Sequence, residues 1–129
     1  MTQTPAAPPA VLKMTTLDCG DVAAESAFWA GLLGWSVVHQ QQEYAMLAGP
    51  GDQPALGLGL VVDHQPPAWP DEGGRKQFHL DLACADVAAA EARAVELGGA
   101  VADPQPGETW RVLLSPAGHP FCLTDAARW

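Results

Sequence analysis

Residues 14–34, MTTLDCGDVAAESAFWAGLLG, and residues 79–99, HLDLACADVAAAEARAVELGG, state one pattern twice, 65 positions apart. In each copy a short strand-like run leads to an aspartate, Asp21 or Asp86, and then into an alanine-rich helical stretch. An acid at that point accepts from the free N–H groups of the first helical turn and faces the positive end of the helix dipole. Glycine follows at Gly34 and Gly98, where a left-handed C-terminal cap is expected.

The duplication continues beyond the helices. Tyr44-Ala-Met-Leu leads into AGPGDQPAL, and Trp110-Arg-Val-Leu leads into LSPAGHPFCL, with Pro50 and Pro54 matching Pro116 and Pro120 at an offset of 66. Glycine and proline between two apolar runs read as strand, tight turn, strand. One more strand fits in each half, around residues 35–40 and 100–103, so the repeating unit is βαβββ. The expected organisation is a flexible tail over 1–12 and a single domain over 13–129. Within it, module one covers about 13–63, a connector 64–76 and module two about 77–127.

Composition sets the outer limits on function. A chain of 129 residues fits one domain and needs no disulfide or metal staple to fold. Fifteen acidic side chains against six basic ones leave a net charge of −9. Charged residues make up only 16% of the chain, below the usual figure of about 25%, so the imbalance reflects missing bases. A base-poor chain has no stripe for nucleic acid and no attraction to anionic membranes, so neither is an expected partner. Cys19, Cys84 and Cys122 are too few and too widely spaced for a disulfide framework, and no CxxC spacing occurs. With no signal-like or membrane-spanning run, the expected location is the cytoplasm.

The paired βαβββ units, the helix with Phe28-Trp29 that ends in Leu32-Leu33-Gly34-Trp35, and the closing Ser115-Pro-Ala-Gly-His-Pro-Phe121 resemble the vicinal oxygen chelate superfamily. That superfamily includes glyoxalase I, extradiol dioxygenases, fosfomycin-resistance enzymes and bleomycin-binding proteins. Trp69-Pro70, His79-Leu-Asp-Leu82 and Gly118-His-Pro-Phe-Cys-Leu123 resemble its glyoxalase-like domain branch. The resemblance covers about residues 13–127. It implies an α+β fold in which two tandem βαβββ modules form a curved, barrel-like mixed sheet around a central chamber. It also implies two-fold dimers, and the sequence does not choose between a homodimer and a monomer.

Strand alternation sorts side chains between helix and chamber. Leu80, Leu82 and Cys84 belong to the helix side, so His79 and Asp81 point inward. Phe121 and Leu123 likewise leave Cys122 inward, and Leu17 and Cys19 leave Met14, Thr16 and Asp18 inward. Members of the superfamily hold a divalent metal with a His, Gln or Glu from the first strand of each module and an acid or amide from each last strand. By resemblance these positions fall on Met14, His79, Cys122 and Leu56. Only His79 is a ligand of that kind, so no metal centre of the family type and no cofactor are expected. A cluster of His79 and Asp81 with His119 would need His119 inward, whereas its parity assigns it to the turn.

The remaining candidates are aromatic. Trp69 lies in the proline-rich connector, and Tyr44 and Trp110 occupy matching strand positions, so all three are candidate ligand contacts. Trp29 and Trp35 read as core, and Trp129 is uninformative. Met14, Thr16, Asp18, Tyr44, Leu56, Trp69, Trp110 and Cys122 form the expected ligand-binding set, with His79 and Asp81 as catalytic candidates. The expected function is binding of a cationic or aromatic small molecule without the family metal centre. The alternative is a lyase, isomerase or dioxygenase-like enzyme using His79 as a metal-free general base or in a noncanonical metal site.

Overall fold

Both repeats fold as strand and helix in a computed structural model that describes residues 12–67, 69–70 and 79–129. Nearly all of the expected tail, and residues 68 and 71–76 of the expected connector, lie outside the described residues. Module one consists of β1 (Met14–Cys19), α1 (Val22–Leu33), β2 (Ser36–Gln40), β3 (Tyr44–Ala48) and β4 (Ala55–Leu60). Module two consists of β5 (Leu80–Cys84), α2 (Val87–Glu96), β6 (Ala100–Val101), β7 (Trp110–Leu114) and β8 (Pro120–Asp125), followed by a 3-10 turn at Ala126–Arg128. No described helix is long and apolar enough to cross a membrane.

Each module forms a four-stranded sheet, ordered β1-β4-β3-β2 and β5-β8-β7-β6, and the two sheets do not close into a barrel. In both, the first and last strands run parallel and the other pairs antiparallel. Both helices start as their aspartates dictate. Asp21 accepts from the Ala24 N–H and Asp86 from the Ala89 N–H, each at 3.0 Å. Gly34 ends α1 in the left-handed region at φ 68°, where its N–H reaches the Ala30 carbonyl.

The two helices have different surroundings. α2 has a single buried residue, Ala94, whereas α1 buries Val22, Glu25, Ser26, Phe28 and Trp29. A helix that is apolar on most of its circumference must be covered on more than one side. α1 covers the first sheet and also meets module two, where Phe28 and Trp29 pack edge-on against Phe121 of β8 at ring-centroid distances of 5.8 and 5.0 Å. Leu47, Leu58, Leu113 and Leu123 complete this shared core.

Glu25 is the one charged side chain among the described residues that is fully buried. One carboxyl oxygen accepts from the Trp29 indole N–H at 2.9 Å, and the other accepts from the Ala117 backbone N–H at 2.7 Å. Ala117 lies in the turn between β7 and β8, so a module-one side chain satisfies a module-two backbone group. The same turn makes two more ties. His64 donates to the Ala117 carbonyl at 3.2 Å, and His119 donates to the Asp18 carbonyl of β1 at 2.5 Å. Gly118 closes the turn at φ 88° directly beneath Pro66, with which a Cβ would collide.

Glu25→Gln places an amide NH2 against one of two N–H donors and leaves a buried donor unmatched, a cost of about 1–3 kcal/mol. Urea unfolding followed by circular dichroism is expected to show that loss. A midpoint equal to that of the parent chain would remove Glu25 from its assigned role.

Candidate functional site

The register of the second sheet determines which side chains share its open face. Asp81 stands opposite Cys122, and Cys122 opposite Val112, while Thr124 stands opposite Trp110 in the next row. The intervening residues Leu80, Phe121 and Leu113 face the core. His79, immediately before β5, shares the face of Asp81, with Nε2 at 3.3 Å from Asp81 Oδ1. One donor atom each from His79, Asp81 and Cys122 lies within 4.8 Å of the others.

This face floors a cavity of about 590 Å³, a size suited to a small organic ligand. Trp69, Trp110 and Trp129 supply aromatic surface around it. Hydrogen bonds restrain two of them: Trp69 Nε1 donates to the Pro104 carbonyl at 3.2 Å, and Trp129 Nε1 donates to Thr124 Oγ1 at 2.8 Å. Thr124 in turn donates to the Leu82 carbonyl at 2.8 Å, which anchors Trp129 to the sheet. Among the described residues, two acids, Asp81 and Asp125, and one base, Arg128, reach the cavity.

Five of the expected site residues therefore meet in one place: His79, Asp81, Cys122, Trp69 and Trp110. Thr16 and Asp18 line a second cavity of about 530 Å³ between β1 and β5, which shares His79 and Pro120 with the first. Met14 and Tyr44 are exposed on the first sheet and border neither cavity. Leu56 is a correction. It pairs with Thr15 and Leu47, is 5% exposed and packs in the core, so it lines no chamber. The counterpart of Cys122 is Gly57, because Thr16 pairs with Gly57 as Asp81 pairs with Cys122. His119 turns to β1 and not to the His79 cluster.

Thr124 and Trp129 are cavity residues that the sequence reading missed. Thr124 was accessible by parity, two residues after Cys122 on the same strand face. Trp129 had no such signal, since its position depends on the turn at 126–128.

A family model for the glyoxalase-like domain matches residues 14–124. The chain belongs to this family. Among solved structures it is similar to a glyoxalase-related enzyme from Fulvimarina pelagi, with a TM-score of 0.70, 21% identity, and coverage of 92% of this chain and 90% of that one. It is similar also to lactoylglutathione lyase from Agrobacterium tumefaciens, with a TM-score of 0.62, 19% identity and coverage of 95% and 98%. The bleomycin-binding protein of Streptomyces verticillus, complexed with copper(II)-bleomycin, aligns with a TM-score of 0.57 and 16% identity over 92% of this chain and 98% of that one. No curated protein matches.

The metal arrangement of the wider superfamily does not fit this glyoxalase-like domain. Its module-one positions are Met14 and Gly57, and a Cβ on Gly57 would meet Met14 Sδ at 2.9 Å and Thr16 Oγ1 at 2.7 Å. Neither Met14 nor Gly57 offers a carboxylate or imidazole.

The three thiols of the domain differ in environment. Cys19 is fully buried, and burial first, then the nearby Glu25 carboxylate, pushes its pKa up; burial also raises that of Cys84. Burial thus lowers the reactive thiolate fraction of both, and Cys122 opens onto the cavity. A charged thiol reagent is expected to modify one cysteine per native chain rapidly, and Cys122→Ser to abolish that phase. A rapid phase that survives the substitution would contradict the assignment.

Proposed function

We propose that this glyoxalase-like domain binds a planar aromatic or cationic small molecule in the module-two cavity, without the metal centre of the wider superfamily. The observation that supports this most strongly is the placement of three indoles around Asp81 and Asp125 in a single cavity of about 590 Å³. Indole faces attract cations and stack on flat rings, and carboxylates supply the counter-charge. The fold shared with a bleomycin-binding protein is in keeping with sequestration. Every described residue that lines this cavity lies between 69 and 129, within one chain. Three cysteines outside disulfides suit a reducing compartment such as the cytoplasm.

A second function is supported by the His79–Asp81 contact. A carboxylate 3.3 Å from the imidazole can fix its orientation, as a general base requires, in a lyase or isomerase that works without metal. It predicts exchange of a carbon-bound proton next to a carbonyl, lost in His79→Ala.

Tryptophan fluorescence titrated with an acridinium dye separates the two. Binding is expected to quench fluorescence saturably, and Trp110→Ala to weaken it about three- to thirtyfold, the range of one cation–π contact. Quenching that never saturates, or is unchanged in Trp110→Ala, would contradict the binding function.

A further inference from the structure

The parallel pairing of β5 with β8 sets Asp81 opposite Cys122, and the residue two before Asp81 on the same face is His79. A carboxylate oxygen, a thiol sulfur and an imidazole nitrogen are thereby fixed by backbone register, all within 4.8 Å of one another. We propose that His79, Asp81 and Cys122 bind one borderline divalent cation of the zinc and cobalt class, wholly within module two, with a coordination position left open to the cavity.

Donor spacing supports this. Tetrahedral coordination at zinc–ligand distances of about 2.0–2.3 Å separates donors by roughly 3.3–3.8 Å. His79 and Asp81 already stand 3.3 Å apart, so small side-chain rotations bring the third donor into range. The side chains of His79 and Asp81 are 39% and 44% exposed, which gives an ion a path in. A thiolate disfavours magnesium and calcium and selects zinc, cobalt and their neighbours. Three protein donors leave the fourth position for water or a ligand atom, as in zinc sites that act on substrates.

The site differs from the superfamily arrangement in a specific way. It takes no ligand from module one, where Met14 and Gly57 stand, and it includes Asp81, whose module-one counterpart is Thr16. It does not rest on the aromatic-cation function. With an ion in place Asp81 no longer offers its charge to a cationic ligand, so the two occupancies are alternatives.

Cobalt(II) chloride added to the dialysed full chain tests the proposal. A thiolate-to-cobalt charge-transfer band is expected in the near ultraviolet, saturating at one ion per chain and displaced by zinc(II). Cys122→Ser is expected to abolish the band. His79→Ala and Asp81→Asn are expected to weaken binding by about tenfold or more, the scale on which even outer-shell losses act. The absence of a saturating band in the parent chain would overturn the proposal, as would a band that persists in Cys122→Ser. Should that variant fail to fold by circular dichroism, His79→Ala decides: zinc binding undiminished there overturns the site, and its loss supports it.

Discussion

The carboxyl group of Glu25 accepts from the Trp29 indole on its own helix and from the Ala117 backbone in the opposite module. Everything else in the arrangement of the two modules follows from where this places α1. The helix is apolar on nearly every side, so it needs a second surface besides its own sheet. The β7–β8 turn and Phe121 provide that surface, and Glu25 allows the polar backbone of the turn to be buried without an unmatched N–H. The turn is then held from three directions, by Glu25, His64 and the contact of His119 with Asp18. With its N-terminal end anchored in this way, β8 presents Cys122 and Thr124 on the open face at a fixed height above the shared core.

The duplicated modules have diverged in what that open face contains. In module two the face carries a nitrogen, an oxygen and a sulfur donor within 4.8 Å of one another, under tryptophans that leave a cavity between them. In module one the same rows contain Met14, Thr16 and Gly57, with the methionine sulfur over the glycine. The three donors and the tryptophan-lined cavity thus lie in module two, while β1 of module one lines the second cavity. The excess acidic charge has a partial counterpart in this cavity, where, among the described residues, Asp81 and Asp125 outnumber Arg128.

The fold was legible because its signals are local. Capping aspartates, closing glycines and alternating apolar residues each act over a few positions, and the repeat of all three about 65 residues apart identifies two equal modules. The same alternation placed His79, Asp81 and Cys122 on one face. It should also have excluded Leu56, since Leu56, Leu58 and Leu60 form the apolar set of β4 and Gly57 and Gly59 the other. The error came from aligning the modules by prolines in the turn at an offset of 66, whereas the strands pair at 65. Glu25 had no local signal at all. Its partners lie 4 and 92 residues away, and an acid in a helix sequence reads as a solvated residue until the tertiary packing is known. Trp129 was illegible for a related reason, because its hydrogen bond to Thr124 depends on the closing turn.

The central claim is that ligand recognition belongs to module two. The five tryptophans supply five indole N–H signals for nuclear magnetic resonance, with Trp29 and Trp35 on the module-one side and Trp69, Trp110 and Trp129 around the cavity. Titration with an acridinium dye is predicted to shift the signals of Trp69, Trp110 and Trp129 in parallel, with one saturation curve, while that of Trp35 stays in place. Shifts confined to Trp29 and Trp35 would contradict the account.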